Sequence, residues 1–268
     1  MTWHMPTSVD EALRLRADNP DATVVAGGTF VGVLTRQRLL DSEDWISLQH
    51  TRELTALNDA GDLSVGAMVT HRRMELDPAM ISGWPGLAAA FAVVASPRVR
   101  NVATVGGVLA DADYASDPPA MFVAARAVAE IASVRGVRRE PVEDLITGHY
   151  ATSLAEDELI TRVVVPRPTG KAVYRKLRTR SQEDRPAVAV AVARRGEEVR
   201  VVVGAVSDRP QYFPDVCASW QPVEASAREI ADEYAARISY IDDSRGSAAY
   251  RRHVVGVEVR RALMGVST

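Results

Sequence analysis

Apolar residues change their period along the chain, and each change marks an element. In Pro6-Thr7-Ser8-Val9-Asp10-Glu11-Ala12-Leu13, a hydroxyl residue precedes two acids and then an apolar face. That order predicts a helix start: Thr7 or Ser8 caps, the acids suit the positive end, and Leu13 begins the buried face. Asn19-Pro20-Asp21 ends it. Thr23-Val24-Val25-Ala26 is a short β-branched run and reads as a strand entering Gly27-Gly28. A brief helix is expected at about residues 31–38. Strands follow at Trp45-Ile46-Ser47-Leu48 and at Leu63-Ser64-Val65-Gly66-Ala67, the second after an Ala60-Gly61-Asp62 turn. Residues 87–95 are small and apolar, which predicts a buried helix stopping before Pro97.

Thr104-Val105-Gly106-Gly107 reads as a second strand running into two glycines. Asp117-Pro118-Pro119 reads as an N-cap with prolines in the first turn, leading into a helix over 120–126. Residues 127–134 and 159–165 read as strands, and the run Arg135-Gly136-Val137-Arg138-Arg139 between them as a solvated turn. Pro166-Arg167-Pro168-Thr169-Gly170 suits a linker, because neither a strand nor a helix continues through it. Beyond it, strands are expected at 173–179, 188–193 and 199–206, the last two forming a hairpin through Arg194-Arg195-Gly196-Glu197. Helices are expected at 223–238 and 247–263. The expectation is an α+β protein with a mixed domain over 1–167 and a smaller domain over 168–268. The smaller one combines a three-stranded antiparallel sheet with helices.

Length agrees with this division: 268 residues suit two domains of ~100–200 residues, each large enough for a core. The formal net charge is −3 and the arginines are interleaved with acids, so nucleic acid is not an expected partner. No run approaches the ~18 apolar residues of a membrane span, and Met1–Pro6 has no leader pattern. A cytoplasmic protein is the expectation. A single cysteine, Cys217, forms no internal disulfide and holds no zinc or iron–sulfur site.

Candidate chemistry therefore concentrates in two glycine pairs. A pyrophosphate needs several donors close by, and backbone N–H groups supply them best where no Cβ blocks approach. Thr29 and Thr104 add hydroxyls. Either pair alone is as well explained as a tight turn; two in one domain say more. Neither is a G-x-G-x-x-G fingerprint or a Walker A loop, which argues against a dinucleotide fold of the Rossmann kind and against an NTPase. Asp111, Asp113 and Asp117 crowd behind the second pair. Their spacing lacks the glycine and final Glu of a calcium loop. Hydrogen bonding to ribityl or ribose hydroxyls and helix capping by Asp117 both stay open. The five histidines show no metal spacing, no nucleophile elbow is present, and no catalytic residue is singled out.

These segments resemble the FAD-binding medium subunit of carbon monoxide dehydrogenase and related molybdenum hydroxylases, including the flavin domain of xanthine dehydrogenase. Ala26-Gly27-Gly28-Thr29-Phe30-Val31 is similar to the family's A-G-G-[TH]-x-L loop. The stretch from Thr104 to Pro119 is similar to T-[IV]-G-G-N-L-A-x-A-D-P-x-x-D-L-P, and Ala95–Asn101 to its A-S-x-x-[VI]-R-N lead-in. Met5–Ala12 resembles the family's opening, and Ser247–His253 its S-A-x-Y-R-R-H helix. The resemblance covers essentially the whole chain.

It implies a two-part PCMH-type FAD-binding domain, FAD as the cofactor, and a small C-terminal domain. It carries FAD binding onto Ala26, Gly27, Gly28, Thr29, Phe30, Val31, Gly32, Thr104, Gly106, Gly107, Asp113 and Asp117. Lys176, in Tyr174-Arg175-Lys176-Leu177, matches a lysine near the flavin in the xanthine dehydrogenase branch. It further implies partner chains, a molybdopterin-binding large subunit and an iron–sulfur small subunit, with electrons passing through FAD to an external acceptor. Val108, Tyr114 and Pro118 depart from the pattern, and Arg185 falls where many members carry an aromatic residue. Those departures keep open a stand-alone FAD-dependent oxidoreductase acting directly on a small molecule. A scaffold that has lost its flavin is the third reading.

Overall fold

Ser8 caps the helix Val9–Asp18 as expected, its side chain accepting from the Glu11 N–H. That helix connects two members of a small parallel sheet in which Asp44–Ser47 lies between Thr2–His4 and Thr23–Val25. Parallel neighbours require a crossover; here Val9–Asp18 and the helix Thr29–Arg36 supply the chain between them. The strand Thr2–His4 was not expected, since three residues show no periodicity. The computed structural model describes residues 1–267. The last residue of the expected second domain, 268, lies outside the described residues.

A five-stranded antiparallel sheet follows, ordered Leu57–Asn58, Leu63–Gly66, Leu159–Val165, Val128–Ser133, Gly136–Pro141. Its central strand, Leu159–Val165, comes last in sequence. The edge strand Gly136–Pro141 corrects the expected solvated turn. Its charges are held by neighbours: Arg138 meets Glu158 at 2.7 Å and Glu140 at 2.8 Å, and Arg139 meets Glu130 at 3.2 Å. Opposite charges across strands stabilise a pairing that hydrophobicity does not signal.

The third sheet corrects the expected count: four antiparallel strands, not three. Ala172–Leu177, Val188–Arg195 and Glu198–Gly204 match the expected strands, and Gln211–Tyr212 adds a fourth at the edge. Two residues are too few for alternation to reveal. Val188-Ala189-Val190-Ala191-Val192 shows how the sheet is covered. Val188, Val190 and Val192 face a core shared with the helices Glu224–Arg237 and Ala248–Val266. Ala191 faces the other core, where the helix Pro118–Ala124 packs. Small alanines on that face let the helix come close. Tyr174 and Lys176 share a face of the strand Ala172–Leu177 and point towards the same side.

Candidate cofactor site

Gly27 and Gly28 are glycines for two different reasons. A Cβ on Gly27 would lie 1.9 Å from the Val102 carbonyl oxygen, so the chain crosses here only without a side chain. Gly28 has φ +69°, which disfavours any L side chain. Gly28 caps the helix Thr29–Arg36, which begins two residues earlier than expected. The first internal bond runs from the Gly32 N–H to the Gly28 carbonyl. The N–H groups of Thr29, Phe30 and Val31 are thus the unpaired donors of a helix start, with no capping side chain to take them. An anion fits there.

The second glycine pair works differently, and the expected strand-to-glycine corner is corrected. Thr104 caps a short helix, Val105–Ala110, that contains both glycines. Its neighbours consume its amides. The Val105 N–H donates to Val69 O, the Gly106 N–H to Ala67 O, and the Gly107 N–H to Thr104 Oγ1. The pair therefore provides close approach rather than free donors. A Cβ on Gly106 would meet the Ala67 Cβ at 2.6 Å. The Thr104 hydroxyl accepts from Gly107 and keeps its own proton to donate.

Between these segments runs a cavity of about 710 Å³, within the usual ~300–1,000 Å³ of ligand sites. Ala26, Gly27, Gly28, Thr29, Phe30, Val31, Thr104, Gly106, Gly107, Asp113, Asp117 and Lys176 all line it. Gly32 does not; it lies one turn into the helix. Asp117 is no side-chain cap, because its backbone is already helical and its carboxylate points elsewhere. That carboxylate accepts from Lys176 Nζ at 2.8 Å and from the Tyr174 hydroxyl at 2.7 Å. Lys176 also donates to the Val93 carbonyl at 2.9 Å. Burial pushes Asp117 up and Lys176 down, in opposition to their mutual attraction.

The wall also includes Arg185, Asp111 and His71, which lie outside the set carried over by resemblance. Arg185 meets Asp113 at 2.7 Å, and Asp113 also accepts from the Ala115 N–H. Tyr114, another departure, donates to Asp243 and accepts from Arg245. Asp111 stands at the negative end of the helix Val105–Ala110. Burial, then the neighbouring Asp113, push its carboxyl up to about 7. The unfolded chain loses this proton near 3.8, the folded chain near 7. Between those values the native state holds the extra proton, so stability contributed here is lost as pH rises through that window. Asp111→Asn is therefore expected to raise the melting temperature of the flavin-free protein at pH 8, by an amount corresponding to about 2 kcal/mol. Near pH 4 the gain should vanish. Scanning calorimetry at both pH values checks this; a difference that ignores pH would contradict it.

Among the described residues no group of three or more His, Cys, Asp or Glu side chains is arranged for a metal, and no helix is long and apolar enough to cross a membrane.

Residues 1–168 match the family described as the FAD binding domain in molybdopterin dehydrogenase. Residues 172–266 match the carbon monoxide dehydrogenase flavoprotein C-terminal domain. The nicotine 6-hydroxylase medium subunit of Paenarthrobacter nicotinovorans is 34% identical over 97% of this chain and 94% of that protein. A solved chain of quinoline 2-oxidoreductase from Pseudomonas putida 86 superposes with a TM-score of 0.92 at 30% identity, covering 100% of this chain and 96% of that one. A chain of carbon monoxide dehydrogenase from Hydrogenophaga pseudoflava gives a TM-score of 0.94 at 27% identity, over 99% of this chain and 96% of that one.

Proposed function

The chain belongs to the family of FAD-binding subunits of molybdopterin dehydrogenases, and we propose that within it the protein is an electron relay. Electrons arrive from iron–sulfur clusters on a partner chain and leave to an external acceptor. The observation that carries this reading is the cavity itself. It is walled by a helix start with unpaired N–H groups on one side and by the Thr104–Gly107 segment on the other.

FAD, when bound, supplies one- and two-electron redox chemistry. The chain's own residues hold it. The N–H groups of Thr29, Phe30 and Val31 and the hydroxyls of Thr29 and Thr104 donate to the diphosphate. Gly27, Gly28, Gly106 and Gly107, with Ala26, allow the approach. Asp113, held by Arg185, and Asp117, held by Lys176, shape the polar wall. Gly32 is left out of the set because it is off the wall.

A single cysteine cannot carry an iron–sulfur relay. The proposal therefore includes a molybdopterin-binding large subunit and an iron–sulfur small subunit, a cytoplasmic assembly, and a division of this chain into an FAD-binding domain over 1–167 and a C-terminal domain over 168–268, which lends Lys176 and Arg185 to the cavity wall. Native mass spectrometry of the assembly purified from its source tests this. Three kinds of polypeptide are expected, with flavin absorbance that bleaches anaerobically on substrate only when all are present. A homo-oligomer that turns over a small molecule by itself would overturn it in favour of the stand-alone oxidoreductase.

A further inference from the structure

We propose that His71 is a binding residue of this cavity, its ring Nδ1 accepting a hydrogen bond from an O–H or N–H donor of the bound dinucleotide. The inference rests on the functional reading above.

His71 opens the helix His71–Leu76, and it is only 2% exposed. Its backbone N–H donates to Ala103 O at 2.8 Å. Its ring Nε2 lies 3.1 Å from the Thr104 carbonyl oxygen. A carbonyl only accepts, so Nε2 carries the proton in that contact. The other nitrogen of a neutral ring is then a lone-pair acceptor. The ring is neutral at ordinary pH: burial, with Arg100 nearby, brings it down to about 4 although the Thr104 carbonyl favours the charged form. Nδ1 is thus an acceptor, and it is buried without a partner.

The ring is fixed in this orientation. Turning it over would break the Thr104 contact, and Phe91 packs edge-on with ring centroids 4.9 Å apart. Buried polar atoms are nearly always satisfied, and one that is not calls for a partner. His71 belongs to the cavity wall together with Ala67, Thr104 and Gly106. A dinucleotide brings several donors to such a wall: sugar and polyol hydroxyls, a ring N–H and an exocyclic amine. No carboxylate is needed and no net charge changes, which suits an imidazole that stays neutral.

The competing role is purely structural, with Nε2–H doing no more than holding the Thr104 segment. Two substitutions separate the roles. In His71→Gln the amide NH₂ reaches the position of Nε2 and still donates to Thr104, but the Nδ1 acceptor is gone. In His71→Phe both are gone. The full-length flavin-free chain is titrated with FAD by fluorescence, and its melting temperature is measured. His71→Gln should bind FAD about tenfold more weakly, the loss of one buried hydrogen bond, with the flavin-free melting temperature held. His71→Phe should lose both affinity and stability.

A second readout needs no variant. In ¹⁵N-histidine-labelled wild-type protein, the His71 Nδ1 resonance should move on FAD addition. His71→Gln binding FAD like wild type, or an Nδ1 resonance that stays put in the FAD-loaded protein, would overturn the proposal. A wild-type chain that takes up no FAD would sink the functional reading, and the inference with it.

Discussion

Lys176→Met is expected to lower stability by about 3–5 kcal/mol, the usual consequence of leaving one member of a buried ion pair alone. The side chains of Lys176 and Asp117 are 2% and 5% exposed, and their contact is 2.8 Å. Methionine replaces the stem but supplies no charge, so the carboxylate keeps only the Tyr174 hydroxyl. The loss has a pH signature. With its cation removed, Asp117 is driven further up and takes a proton in the folded state. The unfolded carboxyl remains ordinary. The penalty should therefore be full at pH 8 and shrink as pH falls towards 5. Adding Asp117→Asn should restore much of the stability at pH 8, since no charge then remains to be desolvated. Denaturant melts of the wild type and the two variants at two pH values check this; a pH-independent loss, or no rescue, would show that the pair is not the cause. Because Lys176 also ties the third sheet to the Val93 carbonyl, the single variant should retain less FAD as well.

Gly27→Ala is the second large effect. The added Cβ would fall 1.9 Å from a backbone oxygen, a contact that no rotamer change relieves. The chain must move away from Val102, and that displaces the turn presenting the unpaired N–H groups. A stability loss of about 2–3 kcal/mol is expected, and FAD binding should weaken by about a hundredfold. Gly32→Ala is the control. Nothing lies within 4 Å of its Cβ, and alanine favours a helix interior. It should be neutral or slightly stabilising and leave FAD affinity unchanged. If the two variants behaved alike, the steric account of Gly27 would be wrong.

The parts of the fold written in local patterns were legible. β-branched residues before Gly27-Gly28 gave the first loop, and the strand Leu159–Val165 matches its expected span residue for residue. The alternation in 188–193 foretold a sheet strand, though not that both its faces are covered. What escaped depends on distant partners. Glycines are poor helix formers, so Gly106-Gly107 looked like a turn; in the helix Val105–Ala110 a side chain at Gly106 would run into Ala67, and one at Gly107 into the Thr104 hydroxyl. Asp117 before two prolines had the look of a cap, yet its partner is 59 positions away. His71 belongs to no motif, and its ring bonds to a carbonyl 33 positions on. Arg138 and Arg139 read as solvated charge until the fold supplied Glu158 to the one and, from the strand opposite, Glu130 to the other. The candidate residues were found chiefly through resemblance. That Thr29–Val31 hold free N–H groups while Val105–Gly107 do not came only from the structure.

The most direct measurement is a crystal structure of the chain loaded with FAD. The diphosphate should lie against the first turn of the helix Thr29–Arg36, within hydrogen-bond distance of its N–H groups, with the Thr104 hydroxyl on the opposite side. FAD density elsewhere on the molecule, or a cavity still empty at saturating FAD, would contradict the account.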